Sequence, residues 1–267
     1  MVLLLSHGRM ICNMNFDELD QKMRIYERSL DQIILPEIYL VARIDGRNFT
    51  RLTKDICKFE APFDQRFRDY MIATVRHLMD CGFRIVYGYT ESDEISLLFH
   101  RDETTFGRKV RKFTSILAGE ASAVFTHAIG SVATFDCRMI PLPTLENVQD
   151  YFSWRQEDAH RNGLNAHCYW ILRKLGVSAT DATNQLEGKS VSYKNELLFS
   201  HGINFDKLPS WQKRGVGIYW ESYEKTGYNP ITELPETAQR RRLKIDDELP
   251  LGQGYAQLII SLLENDI

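Results

Sequence analysis

The stretch Ile38–Tyr39–Leu40–Val41–Ala42–Arg43–Ile44–Asp45–Gly46–Arg47 decides the fold. It is an apolar run rich in β-branched residues, closed by a carboxylate and a glycine. Further along, Tyr89–Thr90–Glu91–Ser92–Asp93–Glu94 sets adjacent carboxylates between two more apolar runs, Ile85–Val86–Tyr87 and Ile95–Ser96–Leu97–Leu98–Phe99. Runs of this kind, bounded by turn residues, read as β-strands. Asp-Gly is also a common turn dipeptide and Ser-Asp-Glu a common hairpin tip. Yet an ionised carboxylate at a strand end resists burial without a partner. Two such ends on successive strands suit Mg²⁺, a hard cation that takes one or two carboxylates and fills its shell with waters and phosphates.

Working outward, Phe16 to about Leu30 reads as an amphipathic helix, with Phe16, Leu19, Met23 and Tyr26 three and four apart. A second helix starts at Pro62, with Asp64 in its first turn and Phe63, Phe67, Val75 and Leu78 on one face, and Gly82 stops it. A third is expected from about Thr105 to His127, and a fourth strand from Ser131 to Arg138. The order β-α-β-β-α-β over 38–138 is the ferredoxin-like arrangement, an α+β class. In that topology the first strand neighbours the central hairpin, so Asp45 can meet the Asp93–Glu94 pair at one sheet edge. Regular alternation would turn Asp93 and Glu94 to opposite faces, and Asp93 is the one expected to share metal with Asp45. Beyond it, a helix from about Glu146 to Lys174 is expected to be interrupted at Gly163. Residues 180–215 read as polar and loop-rich, 215–220 as a late strand, and 240–244 as the densest basic run.

The chain has 267 residues, 43% hydrophobic and 26% charged, enough to bury a core and unlike a disordered chain. A net charge of −3 argues against a generally basic nucleic-acid coat, so any nucleic-acid contact has to come from local patches. Cys12, Cys57, Cys81, Cys137 and Cys168 are odd in number and form no C-x-x-C, which fits a reducing cytoplasm rather than a disulfide framework. No run reaches the roughly 18 apolar residues of a membrane span. Trp154, Trp211 and Trp220 read as core or interface residues.

Arg43–Ile44–Asp45–Gly46–Arg47–Asn48–Phe49 and Ser92–Asp93–Glu94 resemble the two metal-binding motifs of histidine tRNA guanylyltransferases and their bacterial and archaeal like-proteins. The resemblance runs on through Phe135–Asp136–Cys137–Arg138, Ser153–Trp154–Arg155–Gln156–Glu157–Asp158, Lys194–Asn195–Glu196 and Lys213–Arg214–Gly215, covering roughly 38–220 in order. It implies a polymerase-like palm and template-dependent addition of nucleotides to the 5′ end of tRNA, in the 3′-to-5′ direction. ATP or GTP would first activate the RNA 5′-phosphate. The 3′-hydroxyl of an incoming nucleoside triphosphate would then attack it. Composition suggests a loose extension over 1–13, followed by a palm core over 14–140 and a helical, loop-rich C-terminal part over 141–267 expected to pack on the core and RNA.

The same resemblance assigns residues. Asp45 and Asp93, with the Gly46 carbonyl, would hold two Mg²⁺ ions, supported by Glu94. Asp45 through Thr50 (Gly46, Arg47, Asn48, Phe49) with Ser92 and Asp93 would hold the triphosphate. Arg43, Lys194, His160 and Asn195 are secondary candidates. His160–Arg161–Asn162–Gly163–Leu164–Asn165 is one residue shorter than the guanylyltransferase signature His-Ile-Asn-Asn-Leu-Tyr-Asn, and Tyr89–Thr90–Glu91 and Ala61 also depart from the eukaryotic pattern. These departures point to the like-protein branch, which repairs 5′-truncated tRNA. The family tends to tetramers, so a homo-oligomer is expected. RNA contact is expected from Lys109, Arg111 and Lys112 and from Arg240, Arg241 and Arg242, since neutralised phosphates give sequence-independent affinity. A palm-type nucleotide cyclase would need base-reading and product-specific residues that nothing beyond the metal site supplies. A non-catalytic RNA-binding protein on a decayed palm would have lost a metal carboxylate, whereas Asp45, Asp93 and Glu94 are all present.

Overall fold

The structure, a computed structural model, describes residues 15–229 and 234–264. The 1–13 extension lies outside the described residues. Helix α1, Phe16–Arg28, is fixed at its start by a capping box in which Asn15 and Glu18 satisfy each other's backbone N–H. Its expected apolar stripe exists but buries nothing: Phe16, Leu19, Met23 and Tyr26 are all exposed.

Strand β1 (Tyr39–Arg47) leads to α2 (Gln65–Leu78), then the hairpin β2 (Ile85–Glu91) and β3 (Glu94–Phe99), then α3 (Val110–Ile129) and β4 (Thr134–Leu142). These four strands lie in the order β4-β1-β3-β2, each antiparallel to its neighbours. This is the ferredoxin-like order expected. Helix α2 starts where its N-cap Asp64 accepts the Arg66 N–H, slightly later than Pro62 suggests. Helix α3 starts at Val110 rather than Thr105, because a short 3₁₀ turn with left-handed Phe106 and Gly107 precedes it.

The C-terminal part is more regular than expected. Helix α4, Leu145–Lys174, runs unbroken through Gly163. Gly163 is there for packing: a Cβ would overlap the Gln212 carbonyl oxygen, so its lack of a side chain lets the following turn approach. The supposed loops of 180–215 hold α5 (Ala179–Leu186) and α6 (Val191–Ser200), each opened by a serine that accepts an N3 N–H. The late strand is β5, Val216–Asn229, and the basic run 240–244 lies on a further strand, β6 (Leu234–Asp246). Both extend the palm sheet, giving β4-β1-β3-β2-β5-β6, before the final helix α7, Gln253–Glu264.

Alternation sorts the strand residues between two cores. Ala42, Ile44, Ile95 and Leu97 face α2 and α3, packing on Met71, Val75, Phe113 and Leu117. Val41, Tyr87, Leu98 and Tyr219 face α4 and α7, packing on Val148, Phe152, Tyr255 and Ile259. A third cluster joins α4 to α5 and α6 through Leu164, Cys168, Leu186 and Leu198. The sheet is therefore covered on both faces, and its chemistry has to sit at an edge.

Candidate active site

Register builds the site. Asp45 lies opposite Asp136 on β4 and Glu94 on β3, and Glu94 lies opposite Glu91 on β2. Residues directly opposite share a face, so Asp136, Asp45, Glu94 and Glu91 form one acidic row across four strands, on the face toward α4. Like charges placed opposite each other are destabilising. Guanidinium groups offset them. Arg155, on α4 and only 2% exposed, reaches Glu94 at 2.6 Å, Asp158 at 3.0 Å and Glu91 at 3.5 Å. Arg43 pairs with the other Glu94 oxygen, and Arg138 lies 3.7 Å from Asp45.

Asp93 sits in the turn between β2 and β3, so strand alternation does not orient it, and Glu94 is the residue that shares a face with Asp45. Both Glu94 oxygens, however, are engaged by arginines. Asp93 accepts from the Ser92 hydroxyl at 3.1 Å, and its backbone carbonyl accepts the Gly46 N–H at 3.1 Å, tying the two loops together. Ser92 and Asn48 both take left-handed backbone. Gly46 must be glycine, because a Cβ would lie 2.5 Å from the Phe49 ring, which is itself locked into the core.

Burial, with Asp45 and Glu94 adding to it, pushes the Asp93 carboxyl up to about 6, against the Ser92 hydroxyl and a backbone N–H that lower it. Asp45 is raised by burial and then by Glu94 and Asp136. Glu91 is pushed up to about 8 by burial, against Arg155. Crowded acids at a sheet edge are held in a state that a cation would relieve.

Beside them opens a cleft of about 430 Å³. Thr50, Ser92 and Asp93 form its polar side, and Phe59, Phe63, Trp170 and Trp211 its aromatic wall. Lys54 lies 5.7 Å from the Trp170 ring and Arg68 4.9 Å from that of Trp211. Flat apolar walls with a few convergent polar groups suit a nucleobase carrying phosphates.

Other candidates fall elsewhere. His160 packs edge-on against Phe205, and burial followed by the charge of Lys213 lowers its pKa. Lys194 and Asn195 lie on α6, where Asn195 donates to the Val191 carbonyl. Arg47 and Asn48 are exposed at the end of β1. Lys109 and Arg111 both pair with Asp31, while Lys112 lies over the Phe106 ring at 5.6 Å. Arg240, Arg241 and Arg242 stand on β6 opposite Tyr223, Ser222 and Glu221. Arg155, Arg138, Asp136 and Glu91 were given no role from sequence. Both acids keep step with Asp45, but only through the register of the sheet, which the sequence does not carry.

Two family models match the chain, tRNAHis guanylyltransferase over residues 20–143 and Thg1 C terminal domain over 146–251. The chain belongs to the tRNAHis guanylyltransferase family. A probable tRNA(His) guanylyltransferase of Dictyostelium discoideum is 33% identical over 83% of this chain and 90% of its own length. The tRNA(His) guanylyltransferase of Neurospora crassa is also 33% identical, over 86% of each. Among solved structures, a bacterial Thg1-like protein in complex with ATP superposes with a TM-score of 0.71 at 27% identity, covering 92% of this chain and 99% of that one. The Saccharomyces cerevisiae tRNA(His) guanylyltransferase gives 0.67 at 28%, over 73% and 91%. The family is one of nucleotidyltransferases, and this chain is an enzyme of that type.

The donor set fits a hard divalent ion. Among the described residues no three His, Cys, Asp or Glu side chains are grouped to cage an ion by themselves. Asp45, Asp93 and the Gly46 carbonyl would supply oxygen ligands to an ion that keeps waters and phosphates in its shell.

Proposed function

We propose that this chain adds nucleotides to the 5′ end of tRNA in the 3′-to-5′ direction, as a like-protein that repairs shortened tRNAs. The carrying observation is Asp93 on the polar side of an aromatic-walled cleft, its turn tied to the end of β1 beside Asp45 by the Gly46–Asp93 hydrogen bond. A related Thg1-like protein has been seen with ATP and another such structure with GTP, which supports a nucleoside triphosphate as the cleft's occupant. Asp45, Asp93 and the Gly46 carbonyl would hold two Mg²⁺ ions, which when bound stabilise charge on the attacking and leaving oxygens.

The protein's own part is positioning, which carries most of phosphoryl-transfer catalysis. The aromatic wall orients the base, and Thr50 and Ser92 face the phosphates from the polar side. Arg155 and Arg43 hold Glu94 away from the nucleotide and keep the acidic row in place. Arg240, Arg241 and Arg242 on the outer ribbon, with Lys112, supply RNA contact, Arg242 on release from Glu221. Lys109 and Arg111 do so only on release from Asp31. A cytoplasmic homo-tetramer, one subunit holding RNA for another's site, completes the reading.

The test is incubation with 5′-monophosphorylated truncated tRNA, Mg²⁺, ATP and labelled nucleotides. Extension at the 5′ end supports the reading. Cyclic nucleotide as product would instead make the site a cyclase, and neither product would leave a binding protein. Comparing shortened tRNA with intact histidine tRNA separates repair from guanylate addition.

A further inference from the structure

Trp154, expected in the core or at an interface, is not in the core. It is 54% exposed, yet it is held in place on several sides. The Arg155 guanidinium carbon lies 4.6 Å from its ring centroid and that of Arg43 5.9 Å, and Tyr151 packs edge-on at 5.9 Å. Those neighbours are themselves fixed. Arg155 is buried in its carboxylate cluster, Arg43 is paired with Glu94, and the Tyr151 hydroxyl bonds the Ser96 hydroxyl at 3.0 Å. An indole that is half wet but rigidly backed has an ordered face that nothing among the described residues covers.

Its position along α4 matters. Arg155, the next residue of the same helix, meets Glu94 and Glu91, and Asp158 one turn on pairs with Arg155. Further on, Tyr169 and Trp170 line the nucleotide cleft, which Trp154 does not. At 1.5 Å per residue, Trp154 and Trp170 stand about 24 Å apart on one helix, with the acidic row between them. A reaction joining two nucleotides needs two base sites, one on each side of the reacting phosphate. The cleft is one. Sequence-tolerant binding of an unpaired base is done by stacking on aromatic side chains and guanidinium planes.

We propose that Trp154 is the stacking platform for the 5′-terminal base of the RNA acceptor, placing its phosphate end at the carboxylates while the cleft holds the nucleoside triphosphate. This rests on the nucleotidyl-transfer reading above. Trp154 binds the acceptor by its π-face and so accepts any base, as repair of differently shortened RNAs requires. The two arginines beside it keep the indole from following the base.

Direct contact is read in the unaltered protein. An acceptor RNA with 5-iodouridine at its 5′ end, irradiated in the complex, should crosslink to the peptide carrying Trp154. A crosslink confined to cleft residues overturns the proposal. In parallel, Trp154→Leu should weaken binding of 5′-monophosphorylated RNA by about 5- to 100-fold, with nucleotide binding within twofold, and Trp154→Phe should restore most of it. Equal RNA binding by all three proteins overturns the proposal, as does an equal loss of nucleotide binding. So does a change of oligomeric state in Trp154→Leu without a change in RNA affinity, which would make the residue a subunit contact. If the unaltered protein extends no RNA at all, the nucleotidyl-transfer reading fails, while the crosslink still reports on Trp154.

Discussion

Glu94 stands directly opposite Asp45 across the β1–β3 ladder, and Arg155 reaches it from another layer of the fold at 2.6 Å. Arg155 contacts three carboxylates and is almost wholly buried. Removing one partner of a buried ionic cluster costs more than the cluster contributes, because the charges left behind have lost both water and partner. Arg155→Ala should therefore destabilise the protein by about 3 kcal/mol or more, measured by urea unfolding. Glu94→Gln, which keeps one acceptor for a guanidinium, should cost visibly less. Equal effects would mean that the Glu94 pair alone carries what Arg155 contributes, whereas no cost for Glu94→Gln would mean that Arg155 acts through packing.

Asp93 is buried with the charges of Asp45 and Glu94 near it, and among the described residues no arginine pairs with it. Such a site is less stable than its uncharged version and keeps its charges for function. In EDTA at pH 8, Asp93→Asn should melt a few degrees higher than the unaltered protein, about 1 kcal/mol at this size, while nucleotide addition drops to the limit of detection. Added Mg²⁺ should then raise the melting temperature of the unaltered protein, since a ligand bound only by the folded state stabilises it. It should leave Asp93→Asn where it was. Calorimetric scans with and without Mg²⁺ check both.

Glu91 gives a pH signature. Its carboxyl is raised to about 8 in the fold, first by burial, against an ordinary value near 4.5. Between those values the folded state holds a proton that the unfolded chain has lost, so stability falls as pH rises through that window and levels off above about 8. Glu91→Gln cannot ionise. Its melting temperature relative to the unaltered protein should climb from about pH 5 to pH 8 and then stay flat. A difference independent of pH would show Glu91 ionised throughout, held so by Arg155.

The palm was readable in advance because its strands alternate cleanly and its helices carry stops such as Gly82. Asp45 was found for the same reason, since a carboxylate ending an apolar run has no core role. What escaped was anything set by pairing rather than by the chain itself. Asp136 and Glu91 become neighbours of Asp45 only once register is known, and Arg155 becomes their counter-charge only once α4 lies across the sheet. Gly163 misled because a glycine in a helix usually weakens it, whereas here the approach of the Gln212 carbonyl requires it. The β5–β6 ribbon was half missed because the Arg240–Arg242 charges hide a strand whose outer length is exposed on both sides.

Asp64 offers a check on local folding separate from the chemistry. As N-cap of α2 it accepts the Arg66 N–H at 2.7 Å and the Glu60 N–H at 2.8 Å, and the Arg66 guanidinium closes on it at 2.7 Å. The Arg66 contact, then these backbone bonds, hold its carboxyl down at about 2 against the cost of burial. Arg66 is mostly exposed, so the ion pair itself adds little in water, and the cap carries most of the effect. Asp64→Ala should cost about 1 kcal/mol, and at most about 2. A depressed carboxyl contributes stability above its unfolded value and loses it as pH falls toward the folded one. The gap between Asp64→Ala and the unaltered protein should thus be constant above about pH 4 and narrow toward pH 2. Asp64→Asn, which keeps the capping oxygen, should fall between them at neutral pH. Urea titrations at a series of pH values measure all three, and a gap that stays open at pH 2 would mean the side chain acts by packing rather than by its charge.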